Sequence, residues 1–307
     1  MIGPPSTMLT VGTNPAIVYA LVLVSHRNPY TLEWLDEPLQ PLPDMLIPAD
    51  PPPWWRTKKK ATQFANGMSR GDHRGTMILA SSLCTDTAAE ASQILDYFDD
   101  IYAYLESIEP PNYPLPVNQA LAAEGAALFE CHCEGCHGSY DADPEAETYP
   151  NLLVPLGVIG TDDTFASLSA GPLNYLEEWF NESYFGTVSH VETADPFVGY
   201  VAPPLDGIWA SAPYFHNASV PTLALVLDSG ARKRYWRRVD MESTSYDWDE
   251  LGWKWEEVGY GQAQASALER RFIYDTTLQG HDNGGHTFGD GFTDHERAAV
   301  LEYLKTI

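Results

Sequence analysis

The feature that most constrains this chain is the heptapeptide Cys131-His132-Cys133-Glu134-Gly135-Cys136-His137. Within it, Cys133, Cys136 and His137 form a Cys-x-x-Cys-His unit. The spacing has a mechanical meaning: two thiols reach the vinyl groups on one porphyrin edge while the next side chain turns beneath the iron. The motif points to haem c, attached through thioethers at Cys133 and Cys136, with His137 as an iron ligand. With 4 Cys and 9 His in 307 residues, chance supplies roughly 0.0015 such motifs. Gly125-Ala-Ala-Leu-Phe129 precedes it at the distance of the first helix of a cytochrome c fold. There Gly125 would let a second helix cross closely, and Phe129 would pack beside the haem edge.

Two rival chemistries use the same residue types. Cys84, Cys131, Cys133, Cys136, His132 and His137 could supply four tetrahedral zinc ligands. Zinc sites usually present two separated ligand pairs, whereas here every cysteine but one sits within six residues. A redox dithiol is the other rival, but no βαβ pattern surrounds the pair. Haem is the reading adopted. Cys84 and Cys131 are left over, either as a disulfide in an oxidising compartment or as two buried thiols. His132 should point away from the iron, since His137 holds the motif position.

The chain carries 17 basic and 43 acidic residues, a net charge of -26. A surface that negative repels nucleic acid and anionic membranes and suits a basic redox partner. No stretch approaches the roughly 20 apolar residues of a membrane span. The longest apolar run, Ala16 to Val24, reads as a buried helix or strand, and no basic residue precedes it as a secretory signal requires. Haem c is normally attached outside the cytoplasm, so the expected location is periplasmic or extracellular. The natural leader is then expected upstream of Met1.

Residues 1–60 are rich in proline and end in Pro51-Pro-Pro-Trp-Trp-Arg56 and Lys58-Lys-Lys60, an ordered excursion packed on something else. From Thr87 to Ile108, apolar residues recur every three or four positions, which predicts an amphipathic helix. Prolines at 110, 111, 114 and 116 end it. A helix over 117–129 leads into the motif, and a short one is expected over 173–184. The closing helix is marked by a Thr293–Glu296 capping box and the apolar residues Val300, Leu301, Leu304 and Ile307. The fold expected is mainly α and loop-rich. An N-terminal extension (1–113) would precede a cytochrome c-like domain (114–307) holding a long loop-rich insertion at about 185–290.

Longer stretches sharpen this. Gly199-Tyr-Val-Ala-Pro-Pro-Leu-Asp-Gly-Ile-Trp209, Ala212-Pro-Tyr-Phe-His-Asn-Ala-Ser-Val-Pro-Thr-Leu223 and Gly280-His-Asp-Asn-Gly-Gly-His286-Thr-Phe-Gly289 resemble the dihaem cytochrome c peroxidase superfamily. Within it, the likeness is nearest to the secreted rubber-oxygenase branch. The resemblance covers about residues 110–307, and 50–110 more weakly. It implies two haem domains, each with its own Cys-x-x-Cys-His. This sequence has one, matching the C-terminal, electron-transfer haem. No counterpart of the domain that activates peroxide or oxygen is present, so its catalytic residues cannot be carried over. Either the chain begins inside a longer reading frame, or it is a one-haem descendant.

The second axial position decides between relay and catalysis, because two histidines leave no vacancy for oxygen or peroxide. Downstream of the motif stand one methionine, Met241, in a charged segment, and His190, His216, His281, His286 and His295. His295 falls in the first turn of the closing helix, and His216 reads as structural. His286 lies in a glycine-rich loop able to approach the haem face, and it matches the family's distal ligand position. Among the basic cluster Arg232–Arg238, Arg232 or Arg234 would pair a haem propionate. The tryptophans at 236, 248, 253 and 255 read as cover for an apolar surface, and Trp54 and Trp55 as packing. Asn181 and Asn217 fit a glycosylation pattern. The function expected is one-electron transfer through a single covalent, bis-histidine haem c, with a redox partner protein or a second haem domain as partner. The alternatives are a subunit or fragment of a dihaem peroxidase or oxygenase, and a structural zinc protein.

Overall fold

The computed structural model describes residues 10, 12–42, 47–81, 85–168, 175–192 and 198–307. Ten α-helices run through them: α1 (Ala16–Ser25), α2 (His73–Ser81), α3 (Ala88–Leu95), α4 (Tyr97–Glu106), α5 (Gln119–His132), α6 (Glu134–His137), α7 (Leu156–Ile159), α8 (Tyr175–Glu182), α9 (Leu223–Val226) and α10 (Asp294–Leu304). The apolar run at the N-terminus is α1, its Val18, Leu21 and Val24 buried. The helix predicted from Thr87 is two pieces, α3 and α4, parted at Asp96, whose backbone stays right-handed helical. Thr87 caps α3 by accepting from the Glu90 amide, as its sequence position requires.

Helices and loops are stitched by short strand pairs. Thr62–Gln63, Ser69–Arg70 and His190–Val191 form one three-stranded sheet, and Tyr235–Arg238 lies between Ile273–Asp275 and Trp255–Glu257 in another. Leu153–Pro155 pairs with Gly199–Val201, and Tyr246–Asp247 with Gly252–Trp253. The fold is therefore more mixed than the mainly helical reading. Strands of two to four residues are too short to show a period of two in the sequence.

Two apolar cores interleave along the chain. The first joins α1, α2, α3 and Phe98 of α4 with Phe165, Leu168, Leu176, Trp179, Phe180, Phe185 and Tyr200. The second joins Phe129 of α5 with Ile208, Tyr214, Val220, Leu223, Leu225, Leu251 and the α10 residues Val300 and Leu304. Phe165, Leu168, Leu176, Trp179, Phe180, Phe185 and Tyr200 thus pack with the N-terminal segment, on the far side of the 113/114 boundary suggested by the prolines. α5 and α10 cross at Gly125, where a Cβ would lie 1.9 Å from the Ala299 carbonyl oxygen. Only glycine permits that approach. Thr293 and Glu296 form the full reciprocal capping box that starts α10.

Candidate cofactor site

Between the two cores lies a cavity of about 280 Å³ lined by Cys133, Cys136, His137, Phe129, His286 and mostly apolar neighbours. α5, capped by the Asn118 side chain, ends at His132, and the motif continues on the single turn of α6. His137 Nδ1 lies 2.8 Å from the Pro203 carbonyl. A carbonyl only accepts, so Nδ1 carries the proton and Nε2 keeps a lone pair, the tautomer that a metal-binding imidazole needs. Burial holds His137 below the usual histidine pKa, which keeps that lone pair free at neutral pH. The strip from Pro203 to Asp206 fixes this wall. The Leu205 amide donates to Tyr140 Oη, and Tyr140 in turn donates to the His137 carbonyl.

Burial pushes the Cys133 thiol up to about 11, with Cys136 beside it adding to the rise, and raises Cys136 as well. A redox dithiol relies on a lowered thiol pKa, so these thiols lack its signature. The zinc rival fares no better: among the described residues no three His, Cys, Asp or Glu side chains converge on a point. Cys131 is exposed and unbonded. Its suggested partner, Cys84, lies outside the described residues.

His286 faces the same cavity. Its ring centroid is 6.3 Å from that of His137. An imidazole nitrogen sits about 1.1 Å from its ring centroid and binds a metal ion at about 2 Å, so two rings on opposite sides of one ion stand about 6.2 Å apart. The centroid separation is close to that value. Burial, reinforced by His137 and Arg232, lowers His286 to a pKa of about 4. Its Nδ1 is one of three unpartnered buried polar atoms on cavity-lining residues, with Thr161 Oγ1 and His216 Nε2.

The backbone under His286 is held in the left-handed region, at φ 46°, next to Gly285 at φ 71°. A Cβ on Gly285 would come 2.2 Å from the Gly160 carbonyl carbon, so the glycine is required there. For His286 the conformation is strained and must be imposed by its surroundings. Arg232 imposes it. Its guanidinium donates to the carbonyls of Leu225, Val226, Asn283, Gly285 and His286, and its plane lies over Phe215. This corrects the propionate role expected for Arg232. Every donor nitrogen is already engaged by a backbone carbonyl, and the residue acts as the clamp of the His286 loop.

Of the other candidates, His132 and His216 also line the cavity, and Met241, His190, His281 and His295 do not. Met241 is 52% exposed. His295 bonds Glu124 at the surface, His190 pairs with Glu192, and His281 is buried against the Gln279 carbonyl. His132 packs edge-on against Phe292. His216 lines the cavity stacked on Tyr200, with ring centroids 3.9 Å apart. Phe129 stands in the wall between Tyr140 and Tyr303. Asn217 is fully buried and donates to Gly280 and Asp282, so it cannot accept a glycan as folded. Asp50, Arg56, Lys60 and Phe64 also line the cavity, and sequence reasoning did not place them there. The one available signal was an arginine and a lysine run, in a chain poor in both, directly after Pro51-Pro-Pro-Trp-Trp.

Comparison with known proteins agrees in kind. The RoxA-like, cytochrome c-like family profile matches residues 199–237, the stretch that supplies Pro203, Tyr214, His216 and Arg232. This stretch is thus similar to a RoxA-like cytochrome c domain. The chain is also similar to two Sinorhizobium fredii proteins. Uncharacterized protein y4iJ is 28% identical over 263 residues, covering 65% of this chain and 41% of the relative. Uncharacterized protein y4iM is 29% identical over 205 residues, covering 60% and 44%. The chain spans less than half the length of either relative.

Proposed function

We propose that this chain is a c-type cytochrome unit in which Cys133 and Cys136 would hold one haem through thioethers and His137 and His286 would bind its iron. The observation that carries the reading is the 6.3 Å separation of the two imidazoles across a cavity that also presents both thiols. When bound, haem c would supply a one-electron couple. The protein's own groups set its surroundings. Pro203 fixes the His137 tautomer, Arg232 holds the His286 loop, and Phe129, Val154, Leu223 and Val300 exclude water from the cavity. An apolar wall and two neutral imidazoles favour electron relay over ligand activation.

A periplasmic or extracellular location and a basic redox partner follow from the attachment chemistry and the net charge of -26. The second reading is a part of a dihaem peroxidase or oxygenase whose catalytic haem lies on a second domain or subunit. What favours it is the RoxA-like match together with relatives more than twice the aligned length.

Haem should stay with the chain through acid-acetone extraction and denaturing electrophoresis. Loss of haem, or zinc found in its place, would end the proposal. The visible spectrum should be low-spin and unresponsive to carbon monoxide, and His286→Ala should shift it toward high-spin and admit carbon monoxide. A wild-type haem that already binds carbon monoxide readily would move the enzyme reading to first place.

A further inference from the structure

The N-terminal segment brings two cations to the cavity wall that, among the described residues, no carboxylate pairs directly. Arg56 is only 4% exposed. Its Nε donates to the Asp206 carbonyl and one terminal nitrogen to Ser211 Oγ, both neutral acceptors, and the carboxylates of Asp206 and Asp50 oppose its charge only from a distance. Trp55 donates to the same Asp206 carbonyl, which anchors the segment beside the strip that holds His137. The carboxylate of Asp206 makes no ion pair with Arg56, since its Oδ1 is bonded by Lys59, 2.5 Å away, and its charge reaches Arg56 only through space. Lys60 lines the cavity too. Among the described residues no carboxylate oxygen lies within ion-pair distance of Arg56 or Lys60, although the neighbouring lysines do find partners, Lys58 in Glu109 and Lys59 in Glu147 and Asp206.

That absence is informative in a chain with 43 acidic residues. A buried cation without a directly paired anion is costly unless a bound group completes it. Asp50 is the remaining acid on this wall, and burial raises its pKa well above the usual carboxylate range, which favours its neutral form. The same burial lowers Arg56 to about 10 and Lys60, aided by Arg56, to about 8. Both shifts are those of cations waiting for a counter-charge.

We infer that Arg56, with Lys60, forms the anion-binding edge of the cofactor cavity and takes the carboxylates of the bound cofactor, the haem propionates of the proposed function. A planar guanidinium suits a carboxylate, offering parallel donors at a fixed spacing. The segment from Asp50 to Phe64 thereby becomes a working wall of the site.

The inference rests on the haem reading, and its test separates the two. Wild type, Arg56→Gln, Arg56→Lys and Lys60→Met are matured with haem, and their midpoint potentials are measured by spectroelectrochemistry alongside visible spectra. Removing a positive charge, and leaving a propionate uncovered, both favour the oxidised form. Arg56→Gln should raise the oxidised-to-reduced ratio at fixed poise by about tenfold, a fall of about 59 mV for a one-electron couple. Lys60→Met should fall in the same direction by less, and Arg56→Lys should restore most of the loss, all with low-spin spectra kept. Haem-loaded variants with unchanged potentials overturn the inference alone. A wild-type chain that carries no haem overturns the proposed function and the inference together. Should Arg56→Gln fail to fold, Arg56→Lys and Lys60→Met carry the decision, since a purely structural role predicts no shift in Lys60→Met.

Discussion

Replacing Arg232 with methionine keeps much of the side chain's apolar bulk and removes its donors. Five backbone carbonyls, three of them at 283, 285 and 286, then lose their partner. Hydrogen bonds from a charged donor contribute about 1.5–3 kcal/mol each. The five share one guanidinium and several would regain water, so their sum overstates the loss. A net cost on the order of 3 kcal/mol is the reasonable figure. The strained φ of 46° at His286 favours an open loop by about 1–3 kcal/mol in wild type and variant alike, so the lost bonds alone set the difference. The balance between held and released loop should therefore move by about 100-fold or more. In the haem-loaded protein, Arg232→Met should show a high-spin fraction and bind carbon monoxide, with a melting point roughly 5 °C or more below wild type. Arg232→Lys, which keeps the charge but not the fork, should fall between. If Arg232→Met retains the wild-type spectrum and melting point, the clamp is not what holds His286, and the reasoning fails.

Gly125→Ala forces a methyl group into the Ala299 carbonyl, 1.9 Å from the new Cβ. Helices α5 and α10 must part, at a cost of about 3 kcal/mol or more, visible in chemical denaturation. By contrast, Gly135→Ala meets nothing within 4 Å and should be tolerated. His216 is held by burial at a pKa of about 3, below its ordinary 6.5. The unfolded chain therefore binds a proton more readily than the folded one across that window. Stability present above pH 6.5 should drain at up to about 1.4 kcal/mol per pH unit as the pH falls toward 3. His216→Leu should flatten that part of the profile; an unchanged slope would locate the acid sensitivity elsewhere.

Local signals survived translation into structure, and distant ones did not. The glycine at 125, the capping box at Thr293 and Gly285 of the Gly284-Gly285 pair each state a backbone requirement, and all three appear where a helix crossing, a helix start and a close loop approach are found. The face of His286 toward His137 could be expected because few histidines sit in loops free to approach. Arg232 was misread because a basic cluster in an acidic chain suggests a bound anion, and carbonyls fifty residues away carry no mark in sequence. Asp50, Arg56 and Lys60 were missed for the same reason: the 150 or so residues between Arg56 and its partners Asp206 and Ser211 hide a contact that no periodicity encodes. The strand pairs of the 185–290 region are too short to declare themselves.

The interleaving of the two cores has a consequence for how the chain is made. During synthesis the first core begins with α1 to α4, but its Phe165, Trp179, Phe180 and Phe185 emerge only after the motif at Cys133–His137 has passed. The second core, in turn, waits for Val300 and Leu304 at the very end. Neither half can close before much of the other exists, which makes the route to the native state slow and dominated by non-local pairing. Until Val300 and Leu304 arrive, the part of the cavity wall that they supply is missing, and machinery that must reach the two thiols and His137 would have its opportunity then. A gene cut at residue 113 would separate α1–α4 from the aromatic residues that complete their packing, leaving two fragments with exposed apolar faces in place of two domains.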